Sequence, residues 1–319
     1  MSAMPAKELE FESERFLHKL YGEAPENLRT VEAKLGLSLV ARGGLLRMEG
    51  ELEGLAACEE FFQLLELGRG QGLAASRGEF VRILERVAEG KGKEFRELFN
   101  EPLALKLRKT SVVPRTLGQK RYLRNILKHD VSFGIGPAGT GKTFLAMTAA
   151  LHALLRGEVE KIVLSRPAVE AGEELGFLPG DLEEKLLPYL RPLYDAMDEA
   201  LGSAETRKLV ETGVVEIAPL AYMRGRTLSK CFALLDEAQN ATSAQVKMFL
   251  TRLGEGSKMV VTGDVTQIDL PRRKESGLVE AERLLGGVKG LSFYRFEERD
   301  VVRHPLVSEV IRAYDELGE

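Results

Sequence analysis

The chain has 319 residues, of which 44% are hydrophobic and 29% are charged, and its net charge is −4. This composition excludes a disordered or fibrous protein, and the length leaves room for one large and one small domain. No apolar run approaches the roughly 20 residues that span a bilayer, and residues 1–14 are acidic rather than signal-like, so we expect a cytoplasmic protein without a membrane contact. The mild charge excludes a surface that binds nucleic acid throughout, so any such footprint must be local.

Two cysteines, Cys58 and Cys231, lie far apart without CxxC spacing, and the chain has four histidines. These counts argue against both a disulfide framework and a structural zinc site. We expect two reduced, buried thiols.

Residues 1–110 are predicted to form a small α+β domain. Apolar periodicity indicates helices over residues 28–35, 53–67 and 77–88, and two short strands over residues 37–41 and 45–48 flank a Gly-Gly turn. This helix–strand–strand–helix order resembles part of a KH-type RNA-binding module, although the GxxG loop of that family is not evident. A dimerisation or packing domain is the alternative. A linker rich in Gly, Lys and Arg, over residues 89–111, leads to the second domain, residues 111–319.

Charge is unevenly distributed along the chain. Residues 102–129 contain eight basic residues and no acidic one, whereas residues 170–200 contain nine acidic residues and two basic ones. Such asymmetry marks either a polyanion-binding face or an intersubunit contact, and the alternative is a solvated surface.

A complete GxxxxGK[ST] motif follows a β-rich run at residues 131–135 and precedes an apolar helical stretch at residues 144–155. Its glycines let backbone N–H groups approach the phosphates of a nucleotide. Lys142 supplies a positive charge to the β- and γ-phosphates, and Thr143 offers a hydroxyl to Mg²⁺. The predicted phosphate-binding loop is Gly136, Pro137, Ala138, Gly139, Thr140, Gly141, Lys142 and Thr143.

A second element is the apolar run at residues 232–235, which ends in Asp236 and Glu237. In a parallel sheet, ligands bind at the carboxyl ends of such strands. We therefore predict that Asp236 holds Mg²⁺ and that Glu237 orients or deprotonates the attacking water. The alternative is a surface turn.

A third β-rich run, residues 259–262, ends in Gly and polar residues. Thr262, Asp264 and Gln267 are expected at the same sheet edge as Asp236, where Gln267 is placed to sense the γ-phosphate or position water. Asp264 also fits a turn-forming role.

With these three elements in place, the chain resembles the PhoH-like ATPases, bacterial proteins linked by name to phosphate starvation. The resemblance runs from about residue 116 to 314. It includes GPAGTGKT from Gly136, APLAYMRGRTL from Ala218, LLDEAQNAT from Leu234, TRLGEGSKMVVTGDVTQIDLP from Thr251 and DVVRHPLV from Asp300. It implies an α/β, RecA-like P-loop core with a mostly parallel sheet, and the binding of ATP and Mg²⁺.

The family is similar in turn to superfamily I helicases. Gln119 resembles their adenine-reading glutamine, whose amide can both donate to and accept from the base. Helicases of that class need two lobes of roughly 150 residues, whereas this chain has room for one, so we expect a homo-oligomer such as a ring. A neighbouring subunit would then supply an arginine to the phosphoryl group. Arg303 is the first candidate, followed by Arg224 and Arg226, and the alternative for each is an ordinary salt bridge.

The resemblance implies an oligomeric ATPase that acts with single-stranded RNA, as a helicase or a partner of the YbeY endoribonuclease. By analogy, Arg166, Arg224, Arg226 and residues 272–274 line a single-strand channel, although the carboxylates of Glu173, Glu174 and Asp181 argue against it. The alternative is a nucleotide-controlled binding module in the phosphate-starvation response. A small-molecule kinase is disfavoured because no arginine-rich lid is apparent, and nothing supports nuclease chemistry.

Overall fold

The computed structural model describes residues 4–71, 77–108, 110–167, 182–271, 275–302, 306, 307 and 310. Its contacts divide the chain between Leu103 and Ala104. Met1–Leu103 lie in the first unit, and Ala104–Val302 form the second. Sequence analysis places the domain boundary a few residues later, at 110.

The first unit is an α+β fold built on a three-stranded antiparallel sheet of order β1-β3-β2. Its elements are β1 (Ala6–Glu10), α1 (Glu14–Leu20), α2 (Pro25–Leu35), β2 (Leu37–Arg42), β3 (Leu45–Gly50), α3 (Leu52–Gly70), α4 (Arg77–Ala88) and α5 (Lys93–Phe99). The predicted helices and both predicted strands are confirmed within a few residues. Sequence analysis missed β1 and α1.

The hairpin between β2 and β3 depends on two glycines. Gly43 and Gly44 have φ angles of 60° and 86°, a left-handed pair that matches the twist of a two-residue hairpin turn. The sheet and helices enclose an aromatic core in which Phe61 packs edge-on against both Phe62 and Phe80. Part of the predicted linker is helical instead, because Phe95, Leu98 and Phe99 give α5 a buried apolar face.

The second unit carries the P-loop motif. Its elements are β4 (Leu105–Lys106), β5 (Ser111–Val112), α6 (Leu117–Lys128), β6 (Val131–Ile135), α7 (Lys142–Leu155), β7 (Lys161–Ser165), α8 (Leu182–Leu201), α9 (Ser203–Glu211), β8 (Val215–Ile217), β9 (Cys231–Leu235), α10 (Ser243–Leu250), β10 (Lys258–Gly263), α11 (Gly277–Leu285) and β11 (Leu291–Arg295).

Six of these strands form one sheet of order β11-β6-β10-β9-β7-β8, and every neighbouring pair is parallel. β6 and β9 are buried along their whole length, as expected for strands covered by helices on both faces. The RecA-like α/β fold is therefore confirmed. In the observed register Gly263 pairs with Ile135, and Leu235 pairs with Ser165. The carboxyl ends of the four central strands consequently meet at one edge of the sheet.

An aromatic cluster packs α6 against this sheet. The ring centroids of Tyr122 and Phe296 are 5.1 Å apart, and those of Tyr294 and Phe296 are 5.0 Å apart. Tyr122 is fully buried and lies over Gly134 of β6, where a side chain would collide with the ring.

The two cysteines are free and buried, as predicted. Burial raises the pKa of the Cys58 thiol to about 12 and that of Cys231 to about 11. Among the described residues, no helix combines the length and apolar composition that crossing a membrane requires.

The close approach of Tyr122 to Gly134 gives a test of this packing. A Cβ at Gly134 would lie 2.6 Å from the Tyr122 ring, so Gly134→Ala should lower the free energy of unfolding by about 1–3 kcal/mol through overpacking. Denaturant unfolding measures the change. Gly287→Ala is the matched control, because a Cβ there meets nothing within 4 Å. Equal stability of the two variants would contradict the packing described.

Candidate nucleotide-binding site

The phosphate-binding loop joins β6 to the first turn of α7. Gly139 and Gly141 have φ angles of 82° and 80°, values that residues with a Cβ rarely adopt. At Gly136 the φ angle is 151°, and a Cβ would lie 2.7 Å from the Cβ of Phe296. The loop therefore needs glycine at these positions both for its backbone angles and for its close approach to the chain after β11.

Side chains within the loop hold it in shape. Thr140 is completely buried and donates a hydrogen bond from Oγ1 to the carbonyl of Pro137 at 3.0 Å. Lys142 reaches back along the loop, so that its Nζ lies 3.3 Å from the same carbonyl. The ammonium group is thus at the loop, where the β- and γ-phosphates of a nucleotide are expected.

Asp236 and Thr143, the two predicted magnesium ligands, are in direct hydrogen-bond contact. Thr143 Oγ1 donates to Asp236 Oδ1 at 2.7 Å, and Thr262 Oγ1 donates to the same oxygen at 2.6 Å. Asp236 is 3% exposed. One carboxylate and one hydroxyl form the sparse oxygen set that Mg²⁺ uses when it is also bound to phosphates, so these residues fit that ion.

Glu237, the next residue, has an unusual backbone. Its φ angle of 53° is in the left-handed region, which a non-glycine residue adopts at a cost of the order of 1 kcal/mol. Both oxygens of its carboxylate have partners. Oε1 lies 3.4 Å from Nη2 of Arg166, and Oε2 accepts a hydrogen bond from Nε2 of Gln239. The candidate catalytic carboxylate is thus held from two sides.

Gln239 is a site residue that sequence analysis missed. It is completely buried. Its Nε2 donates to Glu237 and, at 3.2 Å, to the carbonyl of Gln267, while its Oε1 accepts from the N–H of Asp264 at 3.0 Å. One amide therefore connects the chain after β9 to the chain after β10. The sequence signal that could have identified Gln239 is its position two residues after Glu237.

Gln119 lies beside the phosphate-binding loop. Its Nε2 donates to the carbonyl of Thr140 at 3.0 Å, and its Oε1 accepts from the N–H of Arg115 at 2.8 Å. The helicase resemblance assigns this amide to adenine. In the structure the amide contacts the phosphate-binding loop and the backbone before α6 instead. The segment around it is anchored by Thr116, whose hydroxyl donates to Asp300 at 2.8 Å.

Gln267 is at the predicted sheet edge and is exposed. Its Nε2 donates to Asp264 Oδ2 at 2.9 Å, while Asp264 Oδ1 accepts from the backbone and the hydroxyl of Thr266. Asp264 therefore organises this turn, in agreement with the turn-forming alternative.

The candidate arginines have different surroundings. Arg226 makes two hydrogen bonds to Glu216, of 2.6 and 2.8 Å. These bonds, together with Lys161, lower the pKa of Glu216 to about 2. Arg224 is exposed, as is its neighbour Tyr222, which is 58% exposed. The described residues do not include Arg303, residues 272–274, Glu173, Glu174 or Asp181.

A cleft of about 450 Å³ opens at the carboxyl edge of the sheet. It is lined by the loop residues Lys142 and Thr143, by Asp236 and Glu237, and by Arg166. Helix α8 contributes Asp195 and Glu199. The phosphate loop, the candidate magnesium ligands and the candidate base therefore share one space of a size suited to a small ligand.

The chain is similar in sequence to a known protein family. The family described as PhoH-like protein matches residues 111–315. A PhoH-like protein of Bacillus subtilis is 48% identical over 93% of this chain and 93% of its own length. Protein PhoH of Escherichia coli K12 is 40% identical over 81% of this chain and 77% of its own. The crystal structure of Pif1 helicase from Candida albicans matches 57% of this chain and 39% of that chain, with 14% identity and a TM-score of 0.31; a likeness at that level says nothing about activity.

The low pKa of Glu216 predicts a pH-dependent contribution to stability. Its folded-state pKa is below the ordinary value of 4.5, so the contribution is complete above pH 4.5 and is lost as the pH falls towards 2. Glu216→Gln should lower the free energy of unfolding by about 1 kcal/mol at pH 7, and the deficit should shrink over that window. Urea denaturation at several pH values measures it.

Glu160→Gln is the control, since it removes a highly exposed pair with Lys230. A Glu216→Gln deficit that is as large at pH 2.5 as at pH 7 would contradict this interpretation.

Proposed function

Because this chain belongs to the PhoH-like protein family, we propose that it is a Mg²⁺-dependent ATPase that works on RNA. The observation that carries the ATPase part is the contact between Thr143 at the start of α7 and Asp236 at the end of β9. It joins the phosphate-binding loop to a carboxylate pair, and Lys142 and Glu237 line the same cleft.

In the proposed reaction, the loop N–H groups and Lys142 hold the β- and γ-phosphates of ATP. Thr143 and Asp236 would hold Mg²⁺, which would supply positive charge against the phosphates when it is bound with the nucleotide. Glu237 accepts a proton from a water molecule whose oxygen attacks the γ-phosphorus. The bond to the β–γ bridging oxygen breaks, and ADP and inorganic phosphate are released.

Gln239 keeps Glu237 in place for this step. Its amide donates to the Glu237 carboxylate and is fixed by Asp264 and Gln267 after β10. The left-handed backbone at Glu237 restricts the direction of the side chain further. A base whose position is set in advance spends less free energy on orientation in the transition state.

The RNA part of the proposal is supported by the surface of the second unit. Tyr222 and Arg224 are exposed in the segment that follows β8, at the same sheet edge as the cleft. An exposed aromatic ring beside an arginine can stack on a base and contact a phosphate. Helix α6 adds Arg121, Arg124 and Lys128, all exposed and spaced along one helical face. The homo-oligomer and a nuclease partner remain predictions from the family resemblance.

Replacement of the candidate base tests the ATPase. Glu237→Gln should keep ATP affinity within about threefold and lower kcat by about 10²–10⁴, because the amide cannot accept the proton. Equilibrium binding of a fluorescent ATP analogue and phosphate release measure the two quantities. Lys142→Ala is the control that should lose nucleotide binding. Unchanged turnover in Glu237→Gln would exclude the assigned base.

Addition of RNA tests the second part. Single-stranded RNA should raise the ATP turnover of the wild-type protein, with binding that weakens steeply as salt rises. Tyr222→Ala should weaken RNA binding about 5- to 100-fold through lost stacking, whereas Tyr222→Phe should not.

Absence of any turnover response to RNA would contradict an RNA-driven motor. The nucleotide-controlled binding module would then be the better description if Glu237→Gln, with ATP bound but not hydrolysed, kept the partner proteins that the ATP-bound wild-type protein binds.

A further inference from the structure

Phosphoryl transfer from ATP needs a cation near the γ-phosphate in addition to the lysine of the loop. Arg226, one of the sequence candidates, is engaged by both oxygens of Glu216. Arg224 is exposed, and neither arginine lines the cleft. The structure places a different arginine, Arg166, inside it.

The backbone at Arg166 is fixed by the sheet. It follows the last residue of β7, and β7 pairs with β9 so that Ser165 is opposite Leu235. The N–H of Asp236 donates to the carbonyl of Ser165 at 2.9 Å. Arg166 therefore leaves the sheet beside Asp236 and Glu237, and this position follows from strand pairing rather than from a surface loop.

The side chain of Arg166 is 20% exposed and points to the catalytic carboxylate, with Nη2 3.4 Å from Glu237 Oε1. Glu237 thus supplies a counter-charge near the guanidinium.

The charges around the cleft show why a second cation matters there. Among the described lining residues, four carboxylates face two cations: Asp195, Glu199, Asp236 and Glu237 against Lys142 and Arg166. The negative charge of a γ-phosphate that enters this space is repelled by the carboxylate of Glu237, the candidate base. Arg166, within 4 Å of that carboxylate, is placed to offset it.

We propose that Arg166 contacts the γ-phosphate of the ATP bound in its own chain. This inference rests on the ATPase function proposed above. The guanidinium lies beside Glu237 in the cleft before ATP binds, and it contacts the γ-phosphate once ATP is bound. The chain then carries its own transition-state arginine, and assembly is not required to deliver one.

The first experiment separates a contact with the γ-phosphate from a contact with Glu237 alone. Affinities for ATP and ADP are measured in Glu237→Gln and in Glu237→Gln/Arg166→Ala, where hydrolysis is suppressed. The added Arg166→Ala change should weaken ATP at least 10-fold and ADP less than threefold, because ADP lacks the γ-phosphate. An unchanged ratio of the two affinities overturns the proposal.

The second experiment uses turnover in the otherwise wild-type protein. Arg166→Ala should lower kcat at least 100-fold, and Arg166→Lys should recover part of it because it keeps the charge but not the planar fork. Arg295→Ala is the matched control, since Arg295 pairs with Glu282 and does not line the cleft. Arg166→Ala with normal kcat overturns the proposal, whereas a wild-type protein without ATPase activity overturns the proposed function instead.

A mixing experiment tests action within one chain. Arg166→Ala protein is combined with Lys142→Ala protein and assayed for ATP turnover. If Arg166 acts on the nucleotide of its own chain, no subunit in the mixture has a complete site and activity stays absent. Recovery of activity would show that the arginine is supplied to a neighbouring subunit and would overturn the proposal.

Discussion

The carboxylate of Asp236 joins three separate parts of the second unit. One of its oxygens accepts hydrogen bonds from Thr143 at the start of α7 and from Thr262 within β10, and the residue itself follows β9. Because Asp236 is almost completely buried, a loss of these donors would leave a charge in a site of low dielectric, which is costly. The position of the phosphate-binding loop relative to the sheet therefore depends on this carboxylate.

Other contacts also fix the position of the phosphate-binding loop. Gln119 holds the carbonyl of Thr140 from the side of α6, and Gly139 accepts a hydrogen bond from the N–H of Val302. The chain after β11 also lies so close that Gly136 has no room for a side chain. A loop restrained from several sides keeps its N–H groups aimed in one direction, as a phosphate cradle requires.

A second set of contacts acts on Glu237 rather than on the loop. Gln239 connects its carboxylate to the turn after β10, and Arg166 reaches it from the end of β7. Three neighbouring strands thus converge on the residue that we propose as the base.

The sequence by itself determined the fold class, and it predicted that Lys142, Thr143, Asp236 and Glu237 meet at one edge of the sheet, where they line the same cleft. These features are encoded locally: glycines at fixed spacing, apolar runs that end in carboxylates, and a helix that begins at the loop. Only the tertiary structure assigned Arg166, Gln239, Gln119 and Arg226 to their partners. Arg166 and Glu237 are far apart in sequence and meet because β7 lies next to β9 in a sheet whose strand order is not the chain order. Strand pairing and burial bring such side chains together, and no local sequence pattern specifies which strands pair.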